Sequence, residues 1–455
     1  MSHPEPSAAR IAELTDREEA RFLAAGPRSA ALLARARQHM PQGVPMGWMA
    51  LLHGHPPIFV ERGEGAYFTD VDGRRFLDMN QADLSINCGY APPAVAAAVA
   101  QRMARGSQFM LPTEDAIWCA EELARRWRLP YWQFTLSASG ANAEIIRLAR
   151  HATGRSRLLF FDGKYHGHIE DSLVVLRDGV PAPEMAGLAG TAAAQARIVP
   201  FNDLDAAERA LAPGDVALTF VEPALTNVGV VLPEPGFHAG LRALTRKHGT
   251  LLALDETHTQ IASPGGLHGA WQLDCDAVGL GKTIGGGIAI GAYGMSESLA
   301  KHLIDPPTMP GAPAESVGGV ATGGTLYGNA LAMAACRATL EAVLTPEGFE
   351  RTSSLGTRLA DGIEAIFGAA GLAWRAQRLM SRSGFTFASR LPRNAAEARA
   401  LARPDLYRLL RLHMANRGVW ESVATAGPTV SFPMTAADVD FYLDRLGGFV
   451  AEILR

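Results

Sequence analysis

The stretch Gly279-Leu280-Gly281-Lys282-Thr283-Ile284-Gly285-Gly286-Gly287 places a lysine where an apolar run gives way to glycine. A lysine there can reach a ligand while the glycines let the backbone close on it. Two chemistries are open to it: charge pairing with a nucleotide phosphate, or covalent addition to a carbonyl compound. A plain solvated loop lysine is the third possibility. A phosphate loop requires a further glycine five residues before Gly281, where Asp276 stands. It also requires its acidic strand to follow the lysine, whereas Asp255-Glu256-Thr257-His258 precedes it. A P-loop ATPase is therefore the lesser alternative.

Other residues suit the carbonyl chemistry. Asp255 ends the apolar run Thr250-Leu251-Leu252-Ala253-Leu254, and a carboxylate at the end of a buried strand needs a cation, such as a protonated pyridine nitrogen. A helix cap or an arginine partner would serve it equally. Ser137-Ala138-Ser139-Gly140-Ala141-Asn142 lies between an apolar run and a helical pattern. Free N–H groups, hydroxyls and the positive end of the helix dipole would bind a phosphate there, or Ser139 would merely cap the helix. In Tyr165-His166-Gly167-His168 an aromatic ring could cover a flat cofactor. The two histidines lack a third ligand at short spacing, so no metal is expected and hydrogen-bonded histidines are the better expectation.

The elements that must position these residues are legible from periodicity. From about Asn80 to Cys336, short apolar runs (FTLSA, RLLFFDG, VALTFVEP, LLALDE, AVGLGK, GAYGM) alternate with helical patterns such as AEIIRLARHA and FHAGLRALTRKHG. This predicts an α/β domain over 80–336 with a mostly parallel, doubly covered sheet and ligands at the carboxyl ends of its strands. Residues 1–79 read as helices broken at Gly26-Pro27, then a hairpin turning at Asp72-Gly73. Residues 337–455 read as a smaller α+β lobe with strands at SGFTFAS and TVSFPM.

Bulk composition excludes several classes. The 455 residues are 48% hydrophobic and carry a formal charge of -4, with no electrostatic reason to bind nucleic acid or an anionic membrane. The start has no apolar signal core, and no uncharged apolar run is long enough to span a bilayer. A cytoplasmic protein with small-molecule substrates is expected. Cys88, Cys119, Cys275 and Cys336 form no CxxC pair and read as reduced thiols.

Together, SASGANAEIIRLARHATGR, FFDGKYHGH, VEPALTNVGVVLPEPGFHAGLRALTRKHGTLLALDETHT, GLGKTIGGGIAIGAYG and GGTLYGNALAMAAC resemble the fold-type I, class III pyridoxal-phosphate aminotransferases. The resemblance runs in order from about Gly63 to the C-terminus and points to the glutamate-1-semialdehyde aminomutase-like and β-amino-acid aminotransferase branch. It implies a large domain with a seven-stranded sheet, a small domain built from both termini, and pyridoxal 5'-phosphate as cofactor. It implies that Lys282 carries the cofactor as a Schiff base and moves the proton between substrate and cofactor, and that Asp255 pairs with the pyridinium nitrogen. Ser137, Ala138 and Ser139 stand in the phosphate cup, Tyr165 stacks on the ring, and Thr257 stands where a valine usually packs on the other face. Glu222 and Asn227 lie near the cofactor. Thr325 matches a threonine that reaches the phosphate from a neighbouring subunit, so a homodimer with active sites at its interface is implied.

The sequence also departs from that family. The cup usually reads Ser-Gly-Thr-Glu-Ala-Asn, and Thr257-His258-Thr259-Gln260 stands where Val-Met/Gln-Thr-Gly is usual. An arginine that commonly grips a substrate carboxylate is absent from Gly43-Val44-Pro45-Met46-Gly47-Trp48-Met49-Ala50-Leu51-Leu52, and none occurs in Glu421-Ser422-Val423-Ala424-Thr425-Ala426-Gly427-Pro428. Met46, Trp48 and Met49 would line an apolar substrate wall, or else simply pack beneath a helix. The expectation is a ping-pong aminotransferase acting on hydrophobic amines or β/ω-amino acids. A glutamate-1-semialdehyde 2,1-aminomutase-like enzyme and a racemase are the alternatives of the same fold.

Overall fold

The computed structural model describes residues 5–304, 319–423 and 427–455. The chain divides into two compact units. The larger comprises Pro93–Pro346 and Pro392–Ala398. Its seven-stranded sheet runs in the order Tyr131–Thr135, Gly291–Met295, Ala277–Gly281, Leu251–Asp255, Val216–Val221, Arg157–Phe161 and Ala196–Val199. Gly291–Met295 is antiparallel to both its neighbours, and the remaining pairings are parallel.

Every residue of Val216–Val221 and Ala277–Gly281 is buried. Helices cover both faces of such strands, so they show continuous apolar runs rather than alternation. Helix Ala138–Thr153 buries Ala141, Ile145, Leu148 and Ala149, spaced to form one stripe along a helix. They join Phe160, Leu218, Phe220 and Ala253 in one core. Gly154 ends the helix at φ 65°, the left-handed position that glycine fills without steric cost.

The smaller unit is assembled from the described residues up to Pro92, Glu347–Leu391, and those of Arg399–Arg455. Helices Ala8–Ala24 and Pro27–Ala36 meet at the Gly26-Pro27 break. Strands Tyr67–Asp70 and Arg75–Asp78 pair antiparallel, with Gly73 at φ 83° in the turn. Glu18, on the first helix, accepts hydrogen bonds from Asn416 Nδ2 at 2.8 Å and Arg417 Nη1 at 3.0 Å.

The divisions fall later in the chain than the pattern of elements implies. Residues 80–92 belong with the small unit because Asn87 Nδ2 donates to Val430 O at 3.2 Å and Tyr90 OH donates to Asp78 Oδ2 at 2.7 Å. Helix Ala330–Ala342 belongs with the large unit, where it packs on Pro93–Met103 and Glu114–Trp127. TVSFPM is not a strand: it contributes one isolated bridge, Thr429 to Arg382, and its other amides turn to scattered partners, Val430 N to Ser381 O and Phe432 N to Asn87 O. Strands Arg375–Leu379, Val419–Trp420 and Ala196–Val199, and the hairpin Val174–Arg177 with Val180–Pro183, carry no clear sequence pattern. The four cysteines are buried. No described helix is long and apolar enough to cross a membrane.

Candidate active site

Within the large unit, Val216–Val221, Leu251–Asp255 and Ala277–Gly281 are adjacent parallel strands, so their carboxyl ends share one edge of the sheet, where ligands collect in this class. Lys282 follows the third strand directly with φ 49°. A side chain with a β-carbon seldom holds that left-handed backbone, and such strain clusters at functional sites. The chain then makes one 3-10 turn, Lys282–Gly285, closed by Gly286 at φ 57°. No helix begins at Lys282, and Asp276 is tied down by Arg242 at 2.7 and 3.0 Å and by the amide of Leu252 at 2.8 Å. This is not a phosphate loop.

Close backbone approach brings the other clusters to Lys282. A β-carbon on Gly281 would lie 2.8 Å from the backbone nitrogen of Ala138, and one on Gly167 would lie 2.4 Å from Ser139 Oγ. The strand end, the Ser137 to Ser139 turn and the Tyr165 to His168 loop therefore pack against one another with no room for larger residues. Ser137, not Ser139, caps the helix, accepting from Gly140 N at 3.1 Å. Ser139 Oγ accepts from His168 N at 3.0 Å. Both hydroxyls keep a hydrogen to donate at the positive end of a 16-residue helix.

Asp255 is buried. Its Oδ2 accepts from Asn142 Nδ2 and from His166 Nδ1, each at 2.9 Å, and its Oδ1 accepts from Thr257 N at 3.0 Å. Burial pushes its pKa up, but the bonds from His166 and Thr257 prevail and hold it below the ordinary carboxylate range. The adjacent Glu256 goes the other way, raised to about 7 by burial although Thr259, His268 and Leu267 donate to it. Asp255 thus presents a fixed negative charge. His166 in turn stacks on Phe220, ring centroids 4.3 Å apart and 7° from parallel.

Glu222, just past Val216–Val221, is also buried. It accepts from Tyr165 N at 3.0 Å, from Thr226 N and Oγ1 at 3.1 and 2.7 Å, and from Asn227 Nδ2 at 3.1 Å to each oxygen. Burial raises its pKa. Thr226 Oγ1 meets His258 Nδ1 at 2.8 Å, and His258 Nε2 meets Lys282 Nζ at 2.5 Å.

Lys282, Asp255, Ser137, Ala138, Ser139, Tyr165, Glu222, Asn227 and Thr257 thus lie in one unit on connected contacts. Thr325 is exposed in a turn of the same unit, its carbonyl accepting from Gln108 Nε2 at 2.5 Å. Met46, Trp48 and Met49 belong to the small unit, in and beside the short helix Trp48–Leu51, with Met46 47% and Met49 48% exposed. Of the stretch 421–428, residues 424–426 lie outside the described ones. Asn142, His166, Thr226 and His258 were assigned no site role from sequence. Asn142 stands within the SASGAN motif, His258 is a visible departure from the family pattern, and His166 reads from sequence as a hydrogen-bonded histidine; nothing local marks Thr226.

A buried fixed carboxylate, a turn of hydroxyls and amides at a helix N-terminus, and a strand-end lysine between them fit a flat cationic ring bearing a phosphate and an aldehyde. The family described as aminotransferase class-III matches residues 49–370. A glutamate-1-semialdehyde 2,1-aminomutase of Chloroflexus aggregans is 37% identical over 94% of this chain and 98% of its own length. A solved glutamate-1-semialdehyde aminomutase of Pseudomonas aeruginosa PAO1, a lysine-to-alanine variant in complex with PMP, is 38% identical with a TM-score of 0.93, covering 98% of this chain and 99% of that one. An omega-transaminase of Sphaerobacter thermophilus is 29% identical with a TM-score of 0.84, covering 93% and 97%. The chain therefore belongs to the class-III aminotransferase family, as an enzyme of the fold-type I group that works with pyridoxal phosphate.

Proposed function

We propose that this enzyme moves an amino group between neighbouring carbons of a single substrate, as a glutamate-1-semialdehyde 2,1-aminomutase or a near variant of one. The observation that carries the chemistry is the meeting of Lys282, Asp255 and the Ser137 to Ser139 turn at one sheet edge. Kinship to aminomutases over 94% of the chain favours internal transfer and reverses the order expected from sequence, where transamination between two molecules came first. That second reading, with hydrophobic amines as donors, is favoured by the lack of arginine in Gly43 to Leu52.

Pyridoxal phosphate, when bound, supplies a carbonyl for amines and a sink for the electron pair left by a departing proton. Asp255 would hold the ring nitrogen protonated through its fixed charge. Ser137 and Ser139 bind the phosphate with the amides of the turn, and Ala138 keeps that backbone against Gly281. Lys282 would hold the aldehyde end, and its amino group is the one placed to carry a proton between carbons. Glu222, fixed by Asn227 and by the Tyr165 amide, would shape the wall beside the ring, which Tyr165 and Thr257 would flank. We further propose a cytoplasmic homodimer in which Thr325 reaches the partner's phosphate, a role that its exposed turn permits.

The test gives the loaded enzyme glutamate-1-semialdehyde alone. Appearance of the isomer with the amino group on the neighbouring carbon supports internal transfer. Conversion only when a keto acid is added supports transamination instead, and loss of optical activity without an isomer points to a racemase.

A further inference from the structure

His258 has no part in the roles assigned so far, yet its ring touches the reacting nitrogen. Its Nε2 lies 2.5 Å from Lys282 Nζ and its Nδ1 lies 2.8 Å from Thr226 Oγ1, whose hydroxyl donates to Glu222 Oε2 at 2.7 Å. The Thr226–Glu222 pair, His258 and Lys282 follow three neighbouring strands, and His258, Thr226 and Glu222 are all buried.

The direction of the chain follows from its far end. Glu222 is an acceptor at every contact named above, taking N–H groups from Tyr165, Thr226 and Asn227. The Thr226 hydroxyl hydrogen is therefore committed to Glu222, and its oxygen accepts from Nδ1–H of His258. Nε2 is left as the lone-pair nitrogen, facing Lys282. A nucleophile, a base in contact with it, and a third group fixing the tautomer of the base form the arrangement by which enzymes activate weak nucleophiles.

We propose that His258 is the general base for Lys282, held in the competent tautomer by the Thr226–Glu222 pair. The proposal rests on the cofactor chemistry above but not on which amino transfer follows. A lysine ammonium has no lone pair with which to attack an aldehyde. In the proposed step an Nζ–H bond breaks as Nε2–H forms, and the charge passes to the imidazolium, which Glu222 balances through Thr226. The freed electron pair on Nζ then bonds to the carbonyl carbon, and the carbonyl oxygen leaves as water with the two remaining amine hydrogens. Asp255 and Glu256 precede His258 on its own segment, and His166 is bonded to Asp255. Sequence alone marked His258 only as a departure, since methionine or glutamine is usual at this place.

The test follows capture of pyridoxal phosphate by the cofactor-free full-length chain, quenched with borohydride and read as the secondary amine on Lys282 by peptide mass spectrometry, across pH. Wild type is compared with His258→Gln, His258→Met and Thr226→Val, each checked for an unchanged melting temperature. Glutamine keeps a hydrogen bond to Lys282 but cannot take a proton, so it separates a base from a positioning residue. Both His258 variants should slow capture at neutral pH by ~100-fold or more and lose the limb of the rate profile that follows imidazole ionisation. Thr226→Val should slow it less while keeping that limb. Capture by His258→Gln at the wild-type rate and pH profile would overturn the proposal, as would a profile common to all four proteins. Because capture needs no amino substrate, a chain that captures normally but fails to isomerise refutes the proposed function alone; a wild type that takes up no cofactor sinks both.

Discussion

His166 Nδ1 and Asp255 Oδ2 meet at 2.9 Å, and both side chains are buried. The histidine's other role is to stack on Phe220, so His166→Phe keeps the packing while removing the hydrogen bond. A bond to a charged group contributes about 1.5–3 kcal/mol. Asp255 then holds its negative charge less firmly, and pyridoxal phosphate should bind roughly 10–100-fold more weakly in a titration.

Gly281 stands where its missing β-carbon would meet the Ala138 amide at 2.8 Å and the Ala138 β-carbon at 2.9 Å. Gly281→Ala overpacks a contact between two backbones, which cannot move aside as a long side chain would. The expected loss is about 1–3 kcal/mol in chemical denaturation, with weaker phosphate binding because the Ser137 to Ser139 turn is displaced.

Asp276→Gly completes the consensus spacing of a phosphate loop, with glycine at 276 and Gly281-Lys282-Thr283 after it. It also removes the two-bond acceptor of Arg242, which keeps Asp274 at 3.2 Å, and the carboxylate that accepts from the Leu252 amide. The variant should lose about 2–4 kcal/mol of stability and gain no ATP binding by calorimetry. Acquired nucleotide affinity would revive the ATPase alternative.

Acid should weaken the small unit in two stages. Burial lowers His55 and His413 from 6.5 to about 4, helped at His55 by the charge of Arg411 and at His413 by that of Arg417. Between those values the unfolded chain binds more protons than the folded one, so stability falls as pH falls. Burial alone would raise Glu18, but hydrogen bonds from Arg417, Asn416 and Arg17 prevail and bring it from 4.5 to about 2. Its contribution is present above 4.5 and is lost as pH falls through that lower window. Melting temperatures should decline from just below pH 6.5, and His413→Gln should flatten the first stage. A melting temperature constant down to pH 4 would contradict this assignment.

The central strands along the chain and the placement of Lys282 and Asp255 at strand ends were legible because each rests on local signals, an apolar run closed by a polar residue or by glycine. The hairpin at Gly73 and the break at Gly26-Pro27 were legible for the same reason. The partners of these residues were not. His166 reaches Asp255 across 89 residues, and His258 reaches Thr226 across 32, distances over which no periodicity carries information. Ala196–Val199 is a short edge strand with an intermediate burial pattern, so it lacks the apolar run that marked the central strands. The unit divisions were misplaced because the residues 80–92 earn their position through hydrogen bonds to residues far along the chain.

The small unit takes its parts from opposite ends of the polypeptide, and Glu18 waits for Asn416, which follows it by 398 residues. At a synthesis rate of about 5–20 residues per second, the first helix waits tens of seconds before Asn416 and Arg417 exist. The carboxylate it carries has Arg17 beside it but lacks Asn416 and Arg417 throughout that time, while the chain that separates the two ends can already begin to fold. Premature termination before Pro404 therefore removes both the helix on which the N-terminal helix packs and two of the donors to Glu18.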